Sequence, residues 1–196
     1  MKWMTREHIR IDRCASAWLV KRFADDEAEF VFVLTSRILP RRTISVLMAS
    51  DFSNYPPALR EVLETFRDNP NDRNAMLIDY SDLFTGVPDA IATRPYPQSH
   101  QVPHCESESY VFVEPLPGED HPLRFHFAVE NPFGVSARAV SAVLASTINN
   151  LPARSIAEMP IDDLVPTLFT RNISMGKGQG LLGIASMVKA FARRYA

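Results

Sequence analysis

The stretch Val102-Pro103-His104-Cys105-Glu106-Ser107-Glu108-Ser109 gathers side chains that can do chemistry, and it runs straight into Tyr110-Val111-Phe112-Val113. A cysteine attacks as its thiolate. A protonated His104 before it would favour that form, and Glu106 after it would oppose it. Cys105 lies in a polar, proline-rich stretch and not inside an apolar stripe, so it can be offered to another molecule. The bland alternative is a small buried hydrophobe. His100-x-x-x-His104-Cys105 also holds three metal-ligand side chains in six residues. His121 and His126 would bring that set to the four of a tetrahedral site, but the spacing matches no usual zinc pattern. A hydrolytic Cys–His pair needs its histidine across a cleft, which neighbours in sequence rarely supply.

Whole-chain properties narrow the choice. The 196 residues carry a net charge of −2, with 46% hydrophobic and 22% charged residues. Those values fit one ordinary domain with an appendage. They give no reason to expect nucleic acid or an anionic membrane as a partner. No apolar run is long enough to span a bilayer, and the N-terminus is not built like a secretory signal. Cys14 and Cys105 stand 91 positions apart and form neither a CxxC motif nor a disulfide framework. A reducing cytoplasm with two free thiols is expected. Residues 1–50 hold nine Lys/Arg against six Asp/Glu, and the remainder twelve against seventeen. A change of character near residue 50 is expected.

The elements that must position Cys105 follow from periodicity. Ala15, Trp18, Leu19 and Phe23 predict a helix from Asp12 to Ala24, with Cys14 as a small apolar residue in it. Phe30–Leu34 reads as a strand, and 35–50 as a linker. Pro56-Pro57 opens a helix whose apolar stripe is Leu59, Val62, Leu63 and Phe66. After Asn69-Pro70-Asn71-Asp72 a second helix places Met76, Leu77, Tyr80, Leu83 and Phe84 on one face, making a hairpin over 57–85. Residues 86–104, with prolines at 88, 95, 97 and 103, read as a long loop ending at Cys105.

Tyr110–Glu114 and Arg124–Glu130 predict a strand pair joined by the turn at 115–120. Phe125, Phe127 and Val129 alternate with Arg124, His126 and Glu130. Ser136 is expected to cap a helix carrying Val140, Val143, Leu144 and Ile148. Ser155-x-x-Glu158 has the form of a capping box, and Asp162–Phe169 reads as a short helix. Gly176-Lys177-Gly178-Gln179-Gly180 lacks the Gly-Lys-Ser/Thr ending of a phosphate loop and follows no strand, so it reads as a flexible turn. The last helix turns Leu181, Ile184, Ala185, Val188 and Phe191 inward, and Arg193 and Arg194 suit the negative pole at its end. The expected class is α+β, a small antiparallel sheet with helices packed on one face.

On these residues, the region from about 52 to 196 resembles the SufE family of sulfur-acceptor proteins. The resemblance rests on a helical hairpin, then Cys105-Glu-Ser107 running into an aromatic-rich strand, then Ser136-Ala-Arg-Ala-Val140 with Val143-Leu144. Ser155-Ile-Ala-Glu-Met-Pro-Ile-Asp162 and Lys177-Gly-Gln179-Gly180-Leu181 through Met187-Val188 complete it. The resemblance implies a SufE/IscU-like fold and a carrier that takes sulfur from the persulfide of a SufS-like cysteine desulfurase. That partner uses pyridoxal phosphate. The carrier holds the sulfur as a transient persulfide on Cys105 and passes it to an iron–sulfur scaffold complex. It implies no cofactor of the chain's own, and a partner protein rather than a free-standing enzyme. His104, Glu106, Ser107 and Lys177 are the expected supporting residues.

Three positions depart from the family pattern. Glu106 replaces a glutamine, Gly134-Val-Ser136-Ala137 replaces an acidic start, and Lys177 replaces an arginine, which keeps charge but loses bidentate geometry. The alternative reading is a metal-binding or iron–sulfur scaffold of related shape.

Lys2-Trp3, Thr5-Arg6, Ile11-Asp12-Arg13, Trp18-Leu19-Val20-x-Arg22-Phe23 and Glu29-Phe-Val-Phe-Val33 resemble the opening of the chromate-resistance protein family. The expected organisation is an appended segment over 1–50 and a SufE-like domain over 51–196. Met48 would serve as a start for a SufE-like chain, so 1–47 is expected to be a fusion remnant or a mis-assigned start. A role in stress or metal resistance rests on residues 1–33 alone.

Overall fold

The computed structural model describes residues 2–6, 29–33, 52–169 and 173–196. The chain divides into two units, Met1–Ser50 and Asp51–Ala196.

In the first unit, strand β1 (Lys2–Arg6) pairs in parallel with β2 (Glu29–Val33), with Trp3 opposite Phe30 and Thr5 opposite Phe32. The predicted strand at 30–34 is found one residue earlier. Its partner was not anticipated, because five residues with two cations at the ends give a weak periodicity. The predicted helix over 12–24, Cys14 and the linker over 35–50 lie outside the described residues.

In the second unit the two helices predicted over 57–85 form, as α1 (Pro57–Asp68) and α2 (Arg73–Asp82), but both pack on the helix at Val135–Ile148 more than on each other as a hairpin. Pro57 occupies the first turn of α1, where its missing N–H costs nothing. Leu59, Leu63 and Phe66 are fully buried. Each such side chain contributes about 1.5–3 kcal/mol on leaving water. Helix α2 ends one residue before Leu83, which is 68% exposed. The stripe predicted for this helix ran two residues too long: Leu83 and Phe84 both lie beyond its end, and of the two only Phe84 packs against the core.

Strands β3 (Ser109–Pro115) and β4 (Pro122–Val129) pair antiparallel, and the two-residue β5 (Leu151–Pro152) joins the far edge of β4. Val111 lies opposite Phe127 and Val113 opposite Phe125. The two-residue period therefore puts Ser109, Val111, Val113, Phe125 and Phe127 on the inner face. Helix α3 (Val135–Ile148) packs there, with Val140, Val143, Leu144 and Ile148 wholly buried. Two short helices follow, α4 (Ala153–Glu158) and α5 (Leu164–Phe169), and α6 (Met175–Ala192) closes the chain. Leu181, Ile184, Ala185, Val188 and Phe191 all face the core, as the spacing predicts. The result is an α+β domain with a three-stranded antiparallel sheet.

Three local expectations need correction. Ser136 does not cap α3. The cap position is Gly134, which makes no side-chain cap bond, and Ser136 lies within the first turn. The supposed capping box at Ser155 is inside α4, which starts at Ala153, and Glu158 instead pairs with Arg154 at 2.8 Å. The glycine-rich run 176–180 is the first two turns of α6, not a flexible turn. Ser174 caps it by accepting the Lys177 backbone N–H at 3.2 Å. Each glycine costs about 1 kcal/mol of helix propensity. Burial of Leu181, Ile184 and Ala185 just downstream outweighs that cost.

Candidate functional site

The segment leading to Cys105 is irregular but firmly tied. It starts with Gly86 bridged to Phe127 on the outer edge of β4 and ends with Gln101 bridged to Tyr110 on the outer edge of β3. Between those points it crosses the sheet on the side away from α3. There the Tyr96 ring meets Tyr110 and Phe112, with centroids 5.1 and 5.5 Å apart. His100 stacks between Phe112 and Phe191, at 4.8 and 5.2 Å. Its Nδ1–H donates to the Val111 carbonyl at 2.8 Å. Arg94 forms a two-pronged ion pair with Glu130. The arm thus fixes where residues 102–108 begin.

Those residues form a tight excursion that carries the thiol. Val102 N–H donates to Ser109 O at 2.8 Å and closes its base. Glu108 N–H donates to Cys105 O at 3.1 Å and folds its tip. His104 and Glu108 bracket it with left-handed backbone angles, φ 56° and 46°. For residues other than glycine such angles cost about 1 kcal/mol or more each.

The excursion lies against α6 at glycines. A Cβ on Gly180 would come within 3.0 Å of both Cys105 Cα and His104 O, and one on Gly183 within 2.8 Å of Val102 Cγ1. Only glycine lets the two backbones approach this closely. These positions are the missed residues of the site. Their signal was visible as small residues three apart, Gly180 and Gly183, beside the apolar stripe of that helix.

The Cys105 thiol is half-buried beside a cavity of about 150 Å³ lined by Glu106, Ser107, Asn131, Phe133, Ser136, Lys177 and Leu181 among others. Of the residues singled out from sequence, Cys105, Glu106, Ser107 and Lys177 meet here. His104 does not. It turns into a separate apolar groove with Pro103, Leu182, Gly183 and Met187. Its left-handed backbone explains why a sequence neighbour of the thiol faces elsewhere.

Helices α3 and α6 both begin at this cavity, with Gly134 and Ser136 at one start and Lys177 at the other. Their N-terminal poles and Lys177 favour negative charge there, and Glu106 opposes it. The thiol itself donates to Ser109 Oγ at 3.3 Å.

The histidines weighed as metal ligands are dispersed. His100 is stacked under the arm, and His126 Nε2 lies 3.0 Å from Glu114. Among the described residues no three His, Cys, Asp or Glu side chains converge as a ligand set. Among the same residues no helix is long and apolar enough to cross a membrane.

Comparison with known proteins bears on both units. Residues 3–53 match the model of the C-terminal domain of ChrB. The Protein ChrB of Cupriavidus metallidurans is 44% identical over 39 residues, which is 20% of this chain and 12% of that protein. The chain therefore spans about an eighth of that relative's length. A hypothetical protein from Thermus thermophilus, solved in solution, superposes with a TM-score of 0.54 at 20% identity. The match covers 72% of this chain and 97% of that one, and it establishes a shared fold. Residues 59–192 match the model of SufE, the Fe–S metabolism associated domain. That match takes in most of the chain, including the first two helices, the cysteine excursion and the glycine-bearing helix, and so the chain belongs to the SufE family.

Proposed function

We propose that the protein is a sulfur acceptor that receives persulfide sulfur on Cys105 and hands it on for iron–sulfur cluster assembly. The observation that carries this reading is the placement of Cys105, the described cysteine, at a small polar-walled cavity where two helices begin. A thiol so placed can be reached by another protein's cysteine, yet has room beside it for an added sulfur. The cavity of about 150 Å³ exceeds the roughly 30 Å³ share of one water.

The step is a thiol exchange. The Cys105 thiolate attacks the outer sulfur of a donor persulfide, and a sulfur–sulfur bond forms as the donor's breaks. The bonding pair leaves on the donor's inner sulfur, which takes up the proton and becomes a thiol. No oxidant is needed, because the sulfane sulfur keeps its oxidation state. The donor in this reading is a cysteine desulfurase that uses pyridoxal phosphate, and the receiver is an iron–sulfur scaffold. The rim of the cavity, with Phe133 88% exposed, is where the donor would rest.

The test is intact-protein mass after incubation with a cysteine desulfurase, pyridoxal phosphate and cysteine. A reducible gain of one sulfur on the native chain and none on Cys105→Ser is expected. No gain in the presence of an active cognate desulfurase would sink the reading.

A further inference from the structure

We infer that Ser109 is a positioning residue that holds the sulfur of Cys105 in both its protonated and its ionised form. The inference rests on the acceptor reading of Cys105 and adds to it the group that steadies the reacting sulfur. Ser109 is the first residue of β3 and is 1% exposed. Its place on the strand is set by the ladder to Val129 and by Val102 N–H on its carbonyl. Its hydroxyl meets Cys105 Sγ at 3.3 Å and, among the described residues, has no other hydrogen-bond partner.

A hydroxyl is unusual among buried partners because it both donates and accepts, and it changes role by rotating one hydrogen. With the neutral thiol, S–H donates to Oγ. When the proton leaves, the sulfur can only accept, and the same hydroxyl turns to donate to it. No heavy atom has to move, and the donor is already oriented, on a residue that is itself buried.

The arrangement serves both halves of the transfer. On loading, the attacking species is the Cys105 thiolate. On unloading, an incoming thiolate attacks the outer sulfur, the sulfur–sulfur bond breaks, and its electron pair returns to Cys105 Sγ. Both halves therefore place negative charge on the atom that Ser109 faces. The other charged groups at the cavity are Glu106 on the same excursion and Lys177 on α6, and both are exposed to solvent. Water screens them. Ser109 is the buried partner, and neither the family resemblance nor the cysteine motif singled it out.

The test is the rate of Cys105 alkylation by iodoacetamide in the full chain across pH, followed by peptide mass so that Cys14 does not contribute. It needs no desulfurase, so its result is independent of whether persulfide loading succeeds. For Ser109→Ala we expect the rate near neutral pH to fall roughly tenfold, the lower end for a lost hydrogen bond to an ionised group. The rate at high pH should be no lower than native and up to a few-fold higher, because a more basic thiolate is the better nucleophile, and the profile should move to higher pH. Ser109→Thr, which keeps the hydroxyl, should restore the native profile. A Ser109→Ala profile that overlays the native one overturns the inference. So does a rate raised at every pH, which would report only a loosened excursion. If Ser109→Thr does not fold, a Ser109→Ala rate that falls at neutral pH with no loss of the high-pH plateau still separates lost stabilisation of the thiolate from altered access, which would move both in the same direction.

Discussion

The arm over 86–101 and the excursion over 102–108 are consecutive in the chain but held by opposite means. The arm is fixed by side chains: stacked rings at Tyr96 and His100, a carbonyl taken by His100, and a two-pronged ion pair at Arg94. The excursion is held by its backbone: by hydrogen bonds at its base and tip, by others from Glu130 and Asn131 N–H to the Glu108 and Ser107 carbonyls, by close contact with glycines, and by one sulfur–hydroxyl contact, at the cost of two left-handed residues. Ring packing adds apolar burial to specific geometry, whereas each backbone hydrogen bond fixes position for only about 0.5–1.5 kcal/mol net. One loop can thereby place a thiol accurately and still let it go: stability is concentrated upstream, and strain is concentrated at the tip. Damage to the arm should lower stability with little change in thiol chemistry, and damage to the tip should do the reverse.

The largest expected effect is chemical. Cys105→Ser should remove all persulfide loading while leaving the melting temperature near native, since Ser fills almost the same space. Loading that persists would place the chemistry elsewhere and dissolve the distinction between arm and tip. Next in size is His100→Ala, which removes two ring stacks and a hydrogen bond. A loss of about 2 kcal/mol in urea unfolding is expected, with the Cys105 alkylation rate kept within a factor of about two at urea concentrations well below the transition.

Gly180→Ala probes the tip. Overpacking costs about 1–3 kcal/mol and the gain in helix propensity returns up to about 1, so a net loss near 1 kcal/mol is expected. Because its Cβ must push against Cys105 Cα and His104 O, alkylation should rise several-fold, which marks the change as local. An unaltered rate would show that the excursion does not lean on α6. The smallest effect is expected for His104→Gly. It relieves a left-handed residue but adds freedom to the unfolded chain, so stability should rise by no more than about 1 kcal/mol in thermal melts. A clear destabilisation would mean that the His104 side chain contributes contacts in its groove that outweigh the strain.

Elements whose apolar spacing matched one period were legible from sequence. Leu59–Phe66, the alternating strand read at 124–130 and Leu181–Phe191 were all placed with the right face inward, because burial selects those side chains directly. Errors fell where local chemistry and tertiary packing disagree. Ser136 and Ser155 have capping side chains, yet α3 and α4 each begin earlier than those serines, at Val135 and Ala153. The glycines at 176–180 read as a break, because the close neighbour of Gly180 lies 75 positions away in sequence, at Cys105. Long-range fit of that kind has no local signal.

The site divided in the same way. Cys105, Glu106, Ser107 and Lys177 were readable as chemistry and do share a cavity. His104 was read as the thiol's helper from adjacency alone, which a left-handed backbone defeats. Ser109 was given no role, since the strand was expected to begin one residue later, at Tyr110. Only the register of β3 shows that it faces inward toward the sulfur.

The course of the arm across the sheet has a consequence for solubility. Among the described residues, β5 pairs with Pro122 and Leu123 alone and most of β4 has no strand on that side, while β3 is the opposite edge. Unpaired edges are templates for joining other chains. The bridges at Gly86 and Gln101 place the same segment at both edges. It therefore guards the sheet against edge-to-edge aggregation as well as presenting the cysteine, and any variant that unwraps it should first be noticed as a protein that precipitates.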